Sequence, residues 1–318
     1  MPFLIGTDEA GYGPNLGPLV VGATVWQTPP RTAPEELYEL LASCVCCQPD
    51  QKRLAIADSK ALYKPGLGLA ALERVVLGIL AMHEQFVSDW PSLWRALAGI
   101  DAGDLRCDAW HDGFELQLPR DVAHEQLQSA AQQLAGGLER AELEITALQA
   151  RAVFPDRFNR EVRQCGNKAE VLSLTTLRLV ADLAEQVPDG NEVTVICDKH
   201  GGRNYYAALI QHVFPETWVR VVREGPGESV YRFRLGGRRM ELRFLMGGEQ
   251  MLPTALASMT AKYLREIAMI PINAFWQRHV PGLKPTAGYP GDSRRFLADI
   301  RPACQRLGLA EETFWRSV

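Results

Sequence analysis

Asp8 and Glu9 stand side by side where an apolar run, Phe3-Leu4-Ile5-Gly6-Thr7, gives way to Gly11-Tyr12-Gly13-Pro14. Adjacent acids at the end of a buried strand repel each other, and burial without a cation raises their pKa values at a cost in stability. A divalent ion relieves both problems. Asp198 has the same setting: it ends the apolar run Val193-Thr194-Val195-Ile196-Cys197 and leads into Lys199-His200-Gly201-Gly202-Arg203, where Lys199 and Arg203 are placed to meet phosphate. Glu249 follows Gly247-Gly248 ahead of a helix that opens at Pro253. Carboxylates from separate segments, with glycines nearby and no histidine cluster, suit Mg²⁺ or Mn²⁺ rather than zinc. Two such ions roughly 3.5 to 4 Å apart stabilise both the attacking water and the leaving oxygen of an in-line phosphoryl displacement, which is nuclease chemistry. Aspartates at strand ends also cap turns, so spacing alone leaves a structural role open.

The elements that must position these acids follow from periodicity. Residues 3–8 and 18–26 read as strands joined by the glycine-rich turn, close enough to be antiparallel. Leu67, Leu69, Leu72, Val75, Val76 and Leu80 recur at helical spacing over 66–83. A strand at 144–153, a helix at 168–186 and a central strand at 192–198 come next. They are followed by a helix near 203–213, a strand at 218–223 and a hairpin whose arms, 231–235 and 240–244, flank Gly236-Gly237. A helix from Pro253 to Met269, with proline in its first turn, and helices after Gly291 finish the chain. Strands alternating with helices behind an antiparallel opening pair predict an α/β fold with a mixed sheet, whose sites form at strand ends.

Composition narrows the classes. The chain has 318 residues, 47% hydrophobic and 23% charged, which excludes a disordered or fibrous protein. No stretch approaches the ~20 apolar residues of a membrane span, and the first residues lack the pattern of a signal peptide, so a cytoplasmic location with no membrane partner is expected. Seven cysteines make an odd count, crowded at Cys44-Val45-Cys46-Cys47, and read as reduced thiols. A net charge of -4 argues against a broad cationic surface. The charge is uneven, however: Arg220 to Arg243 carries seven arginines against three glutamates, while Glu84 to Glu125 has nine acids against three arginines. The latter stretch, with Trp90, Trp94 and Trp110, looks inserted, as a subdomain, a dimer surface or a lid.

Ile5-Gly6-Thr7-Asp8-Glu9-Ala10-Gly11-Tyr12-Gly13-Pro14 and the valine-rich run after it resemble the opening signature of the type 2 ribonucleases H, ribonuclease HII and its relative HIII. Asp58-Ser59-Lys60-Ala61-Leu62 resembles the family's Asp-Ser-Lys-Lys-Leu, and Val195-Ile196-Cys197-Asp198 its strand ending in a catalytic aspartate. Ala257-Ser258-Met259-Thr260-Ala261-Lys262 resembles its Ala-Ser helix, and Ala287-Gly288-Tyr289-Pro290-Gly291 the segment that follows. The resemblance implies an RNase H-like fold and a two-metal endoribonuclease acting on the RNA strand of an RNA/DNA hybrid or a ribonucleotide-containing duplex. Asp8, Glu9, Asp198 and Glu249 would hold the two Mg²⁺ or Mn²⁺ ions, with Glu228 as the alternative fourth acid. Gly11, Tyr12, Gly13, Ser59, Lys60 and Tyr289 would line the substrate. It also implies a catalytic domain over 1–83 and 141–270, the insert at 84–140 and a C-terminal helical substrate-binding region at 271–318. One departure stands out: Tyr12 replaces the family's arginine, and a phenol can stack on a sugar or base but offers no guanidinium fork.

Overall fold

The computed structural model describes residues 1–63, 66, 68–105 and 108–317. Leu67 of the expected 66–83 helix, Cys107 among the thiols and Val318 lie outside the described residues. The strands are β1 (Phe3–Ala10), β2 (Leu19–Gln27), β3 (Val45–Cys46), β4 (Leu54–Ala55), β5 (Glu144–Val153), β6 (Glu192–Asp198), β7 (Arg220–Arg223), β8 (Glu228–Leu235) and β9 (Arg238–Leu245). β3 and β4 form a small parallel pair, and the rest make one seven-stranded sheet in the order β5-β2-β1-β6-β9-β8-β7. β1 pairs antiparallel with β2, as the short turn requires, and parallel with β6, which is also parallel to β9. The remaining pairings are antiparallel, so the sheet is mixed, as expected.

The helices are α1 (Leu37–Leu40), α2 (Ser59–Leu62), α3 (Ala70–Met82), α4 (Trp90–Ala98), α5 (Ala102–Leu105), α6 (His124–Arg140), α7 (Pro155–Cys165), α8 (Lys168–Gln186), α9 (Ala207–Val213), α10 (Leu252–His279) and α11 (Pro290–Leu307). One face of the sheet packs Ile5, Val195, Leu242 and Phe244 against Val171, Leu177 and Val180 of α8. On the other, Leu4, Val20 and Trp26 meet Leu256, Met259 and Leu264 of α10 together with α3 and α6. A third cluster joins Leu16 and Ile272, Phe275 and Trp276 of α10 to Phe296 and Ile300 of α11.

α10 lies unusually close to β1 and β2. A Cβ on Gly6 would stand 2.2 Å from the Pro253 carbonyl carbon, and one on Gly22 would stand 2.3 Å from the Ala257 oxygen. Only glycine admits the helix backbone there. Thr24 Oγ1 donates to Pro253 O at 2.9 Å and Thr254 Oγ1 to Ile196 O at 3.3 Å, which fixes the helix along the strands.

Several boundaries differ from expectation. α10 runs on from Met269 to His279 with Pro271 inside it, because Ile272, Phe275 and Trp276 continue its buried face against α11. Tertiary packing outweighs the hydrogen bond that the proline forfeits. The helix expected from 203 begins only at Ala207, since Gly201 and Gly202 both take positive φ and shape a loop. α7 was not expected; it starts with proline in its first turn and ends at Gly166 in the left-handed region. The 84–140 segment contributes Trp90, Leu93, Trp94, Leu127 and Leu134 to the same apolar cluster as Leu4, Trp26 and Leu256. No described helix is long and apolar enough to cross a membrane.

Candidate active site

In the parallel pairing of β1 and β6, Thr7 stands opposite Cys197, so Asp8 and Asp198 follow each other out of neighbouring strand ends. Neighbouring strands lie ~4.8 Å apart, which puts the two acids within mutual reach. Glu249 comes alongside through Gly247-Gly248. Gly248 N donates to Asp198 Oδ1 at 3.1 Å, and a Cβ at Gly248 would meet the Asp198 backbone at the same distance, so the turn sits directly on the strand end.

The opposite wall comes from α2 and α10. Asp58 caps α2 by accepting from Lys60 N, and it also accepts from Ser258 Oγ at 3.3 Å. Ser258 Oγ lies 3.1 Å from Ser59 Oγ, and its hydroxyl is near enough to Asp8 to favour the ionised carboxylate. A hydroxyl carries one proton, so Ser258 serves these acceptors in turn. The close approach of α10 at Gly22, which is opposite Asp8 in the β1–β2 register, is what brings Ser258 there.

These acids act on one another's charge. Burial pushes Asp8 up to about 7, opposed by the polar Ser258 hydroxyl, with Asp198 adding to the rise. Burial pushes Glu9 up to about 8, reinforced by Asp8 and then Asp198. Glu249 is raised by burial and by the neighbouring Asp198 and Asp58. Burial works against the Lys60 ammonium, yet Asp58, Asp8, Glu249 and Glu9 together hold its pKa above the ordinary lysine value. The exposed Lys60 is thus a cation that feels Asp58, Asp8, Glu249 and Glu9 together. Asp58 is the member that the sequence marked only as the first residue of a motif; locally it looks like any helix cap.

Other expected residues divide. Tyr12 is half-buried beside Glu9 and Arg203, with the Lys168 ammonium 5.0 Å from its ring centroid and Gly201 packed near its hydroxyl. Gly13 is exposed, with open space around it. Gly11 is backed by Arg265 and Pro18. Ser59 is buried in the Ser258 knot rather than lining a surface. Lys199 turns inward: its Nζ is bonded to Gly225 O at 2.8 Å, Asn204 Oδ1 at 3.0 Å, Ser229 Oγ at 3.2 Å and Arg203 O at 3.3 Å. Its three N–H groups are spent on the loop, which leaves Arg203 as the basic side chain of this segment without an ion pair among the described residues. His200 is buried against Ser173, Tyr206 and Phe244, and burial pushes its pKa down to about 3. Tyr289 is 48% exposed and groups with Arg265, 5.7 Å from its ring centroid, rather than with the carboxylates. Glu228 is engaged by Arg243 at 3.0 Å and Arg223 at 3.2 Å, so it lacks the unneutralised character of Glu249.

Among the described residues, no three Asp, Glu, His or Cys side chains stand ready-made around a metal position. The donor set fits a hard divalent ion in kind: oxygen ligands only, partly buried, of like charge, with the exposed Lys60 as counter-charge. A cavity of about 680 Å³ lies elsewhere, at the opposite end of β6 between Trp218, Arg232 and Arg239. The carboxylates instead sit at an open strand-end surface.

No protein-family model matches the chain, and no curated protein does. Among solved structures it is similar to Bst-RNase HIII in complex with Mn²⁺, at 13% identity and a TM-score of 0.43, over 99% of this chain and 66% of that one. It is also similar to RNase HII of the PCNA:RNase HII complex from Archaeoglobus fulgidus, at 12% identity and a TM-score of 0.42, over 98% and 93% of the two chains. The ribonuclease H2 from Pyrococcus horikoshii OT3 is similar at 14% identity and a TM-score of 0.40, over 98% and 92%. The chain thus spans just under two thirds of the length of Bst-RNase HIII, and likeness of this degree establishes no activity for it.

Proposed function

We propose that the protein is a metal-dependent endoribonuclease that hydrolyses the RNA strand of RNA/DNA hybrids. The observation that carries this reading is the convergence of Asp8, Glu9, Asp198 and Glu249, with Lys60 beside them, on the open ends of β1 and β6. An open acidic shelf is useless to a polyanion unless hard cations intervene, and with them it becomes a phosphodiester-hydrolysing site.

Asp8, Glu9, Asp198 and Glu249 would hold two Mg²⁺ or Mn²⁺ ions, which supply Lewis acidity and an activated water. The protein's own groups do the rest. Asp58 holds the Ser258 hydroxyl, which favours the ionised form of Asp8. Lys60 and Arg203 offer positive charge to the phosphates on either side, and Tyr12 offers a ring to a sugar or base. Hydrolysis joins the water oxygen to phosphorus and breaks its bond to the 3′-oxygen, leaving 3′-hydroxyl and 5′-phosphate ends. Tyr12 in place of an arginine supports cleavage without a strict demand for an RNA-to-DNA junction.

The deciding experiment is a panel of labelled RNA/DNA hybrid, ribonucleotide-containing duplex, DNA duplex and branched DNA with Mg²⁺ or Mn²⁺. Cleavage of the hybrid's RNA strand is expected, and Asp8→Asn or Asp198→Asn should lower kcat by roughly 10³-fold or more while hybrid binding persists. An Asp8→Asn variant as active as wild type sinks the assignment. Preference for a branched substrate would make it a nuclease of another class. The lack of a ready-made ion cage favours one rival, a hybrid-binding protein without turnover; Mn²⁺ calorimetry separates the two, since that rival takes up no ion at this site.

A further inference from the structure

The turn between β1 and β2, which carries Gly11, Tyr12 and Gly13, is stitched down by residues just over 300 positions away. Leu16 and Trp315 form an isolated antiparallel bridge. Arg316 N donates to Asn15 O at 2.8 Å, and Asn15 Nδ2 donates to Arg316 O at 3.3 Å. The Arg316 guanidinium is fully buried, donates through Nη2 to Pro14 O and stands 4.8 Å from the Phe158 ring centroid. From α7, Asn159 grips the same segment: its Nδ2 donates to Glu312 O at 3.0 Å and Trp315 O at 2.8 Å, and its Oδ1 accepts from Ser317 N at 2.8 Å. On the turn's far side Asn15 N donates to Gly288 O at 2.8 Å, while the fully buried Arg265 donates to Leu16 O at 3.3 Å and Ala287 O at 2.9 Å.

These arginines are poor bargains as core filling. Nε and Nη1 of Arg316 find no hydrogen-bond partner among the described residues, and burying a cation in that state is costly compared with an apolar side chain of similar volume. What Arg316 adds is direction, a hold on the turn's own carbonyl. We propose that Phe314–Ser317 is a strap, with Arg316 and Asn159 as its positioning residues, that fixes the Gly11–Gly17 turn and thereby aims Tyr12 and Glu9 at the substrate. Its effect on turnover rests on the nuclease reading above; its effect on the turn does not.

The test compares Arg316→Met and Asn159→Ala with wild type in the full chain, by hydrogen exchange and by hybrid cleavage kinetics. Amides of residues 11–17 should exchange about tenfold faster or more in both variants while β1 and β6 keep their protection, and KM should rise about five- to tenfold with kcat within about twofold. Arg316→Lys, which can still donate to Pro14 O, should recover most of both. Unchanged exchange in the turn overturns the strap, as does a loss of protection spread evenly over the sheet, which would mark Arg316 as packing alone. Faster exchange with KM unmoved overturns the aiming. If wild type cleaves no hybrid, the nuclease reading fails, and exchange still decides the strap.

Discussion

Asp8 and Glu9 are held where protonation competes with ionisation near neutral pH, and that has a consequence measurable without any substrate. Both have folded-state pKa values above those of an unfolded carboxyl, so the folded chain binds protons more tightly than the unfolded one. The stability they confer is complete below about pH 4 and drains away as pH rises through about 7 for Asp8 and about 8 for Glu9. The metal-free protein should therefore lose on the order of 1–3 kcal/mol between these limits through this pair, less than the full shifts imply because both side chains keep some exposure to water. Asp8→Asn should raise Tm at pH 8 in a chelator and flatten the profile, whereas Mn²⁺ should raise the wild-type Tm more at pH 8 than at pH 6. A wild-type Tm that climbs steadily from pH 5 to pH 8 in the chelator would contradict the shifts. At this scale the sequence was most informative where an acid ends an apolar run, as at Asp8 and Asp198. It marked Asp58 only as the first residue of a motif and not as one of the site's acids, since its cap role is local while its bond to Ser258 spans 200 positions, and it was misleading on Lys199, since nothing in the segment reveals that Gly225 and Ser229 will claim its ammonium.

The element that assembles the site is α10, and its seat on the sheet is set by absent side chains. Gly22→Ala puts a methyl group 2.3 Å from the Ala257 oxygen, and neither the helix backbone nor the paired strand can give way cheaply. A loss of ~2–4 kcal/mol is expected, read as a lower urea midpoint at unchanged m-value. Gly13→Ala, in open space and without positive φ, should stay within ~0.5 kcal/mol of wild type and serves as the control. Equal midpoints for the two variants would mean that α10 is not seated this closely. Periodicity located β1, β2, β5, β6 and α8 because their patterns are decided within the segment. The extent of α10 past Pro271 was not legible, because what keeps it helical is its contact with α11, a property of neither segment alone.

At the scale of the molecule, the acidic stretch from 84 to 140 reads in sequence as an addition, yet Trp90, Trp94 and several of its leucines are continuous with the core that backs the site. Trp90 and Trp94 are buried together, with ring centroids 5.8 Å apart, in the cluster that holds Leu4, Trp26 and Leu256. Glu73 of α3, fully buried, accepts from Arg120 N at 2.9 Å and Asp121 N at 2.6 Å and from Tyr263 Oη of α10 at 2.8 Å. Cutting out 84–140 would thus expose one side of α3 and strip a buried carboxylate of two donors, a penalty of several kcal/mol in a protein whose whole stability is ~5–15 kcal/mol. The excised chain should not reach a folded state: no cooperative thermal transition, dye binding typical of exposed apolar surface, and no hybrid cleavage. The contrasting outcome is equally clear, since a true appended subdomain would leave behind a core with a sharp transition and intact Mn²⁺ uptake. The milder Glu73→Gln variant discriminates further, because it keeps the volume while weakening the acceptor. It should lower Tm without altering KM for a hybrid, placing the segment's role in holding α3 against α10 rather than in touching nucleic acid.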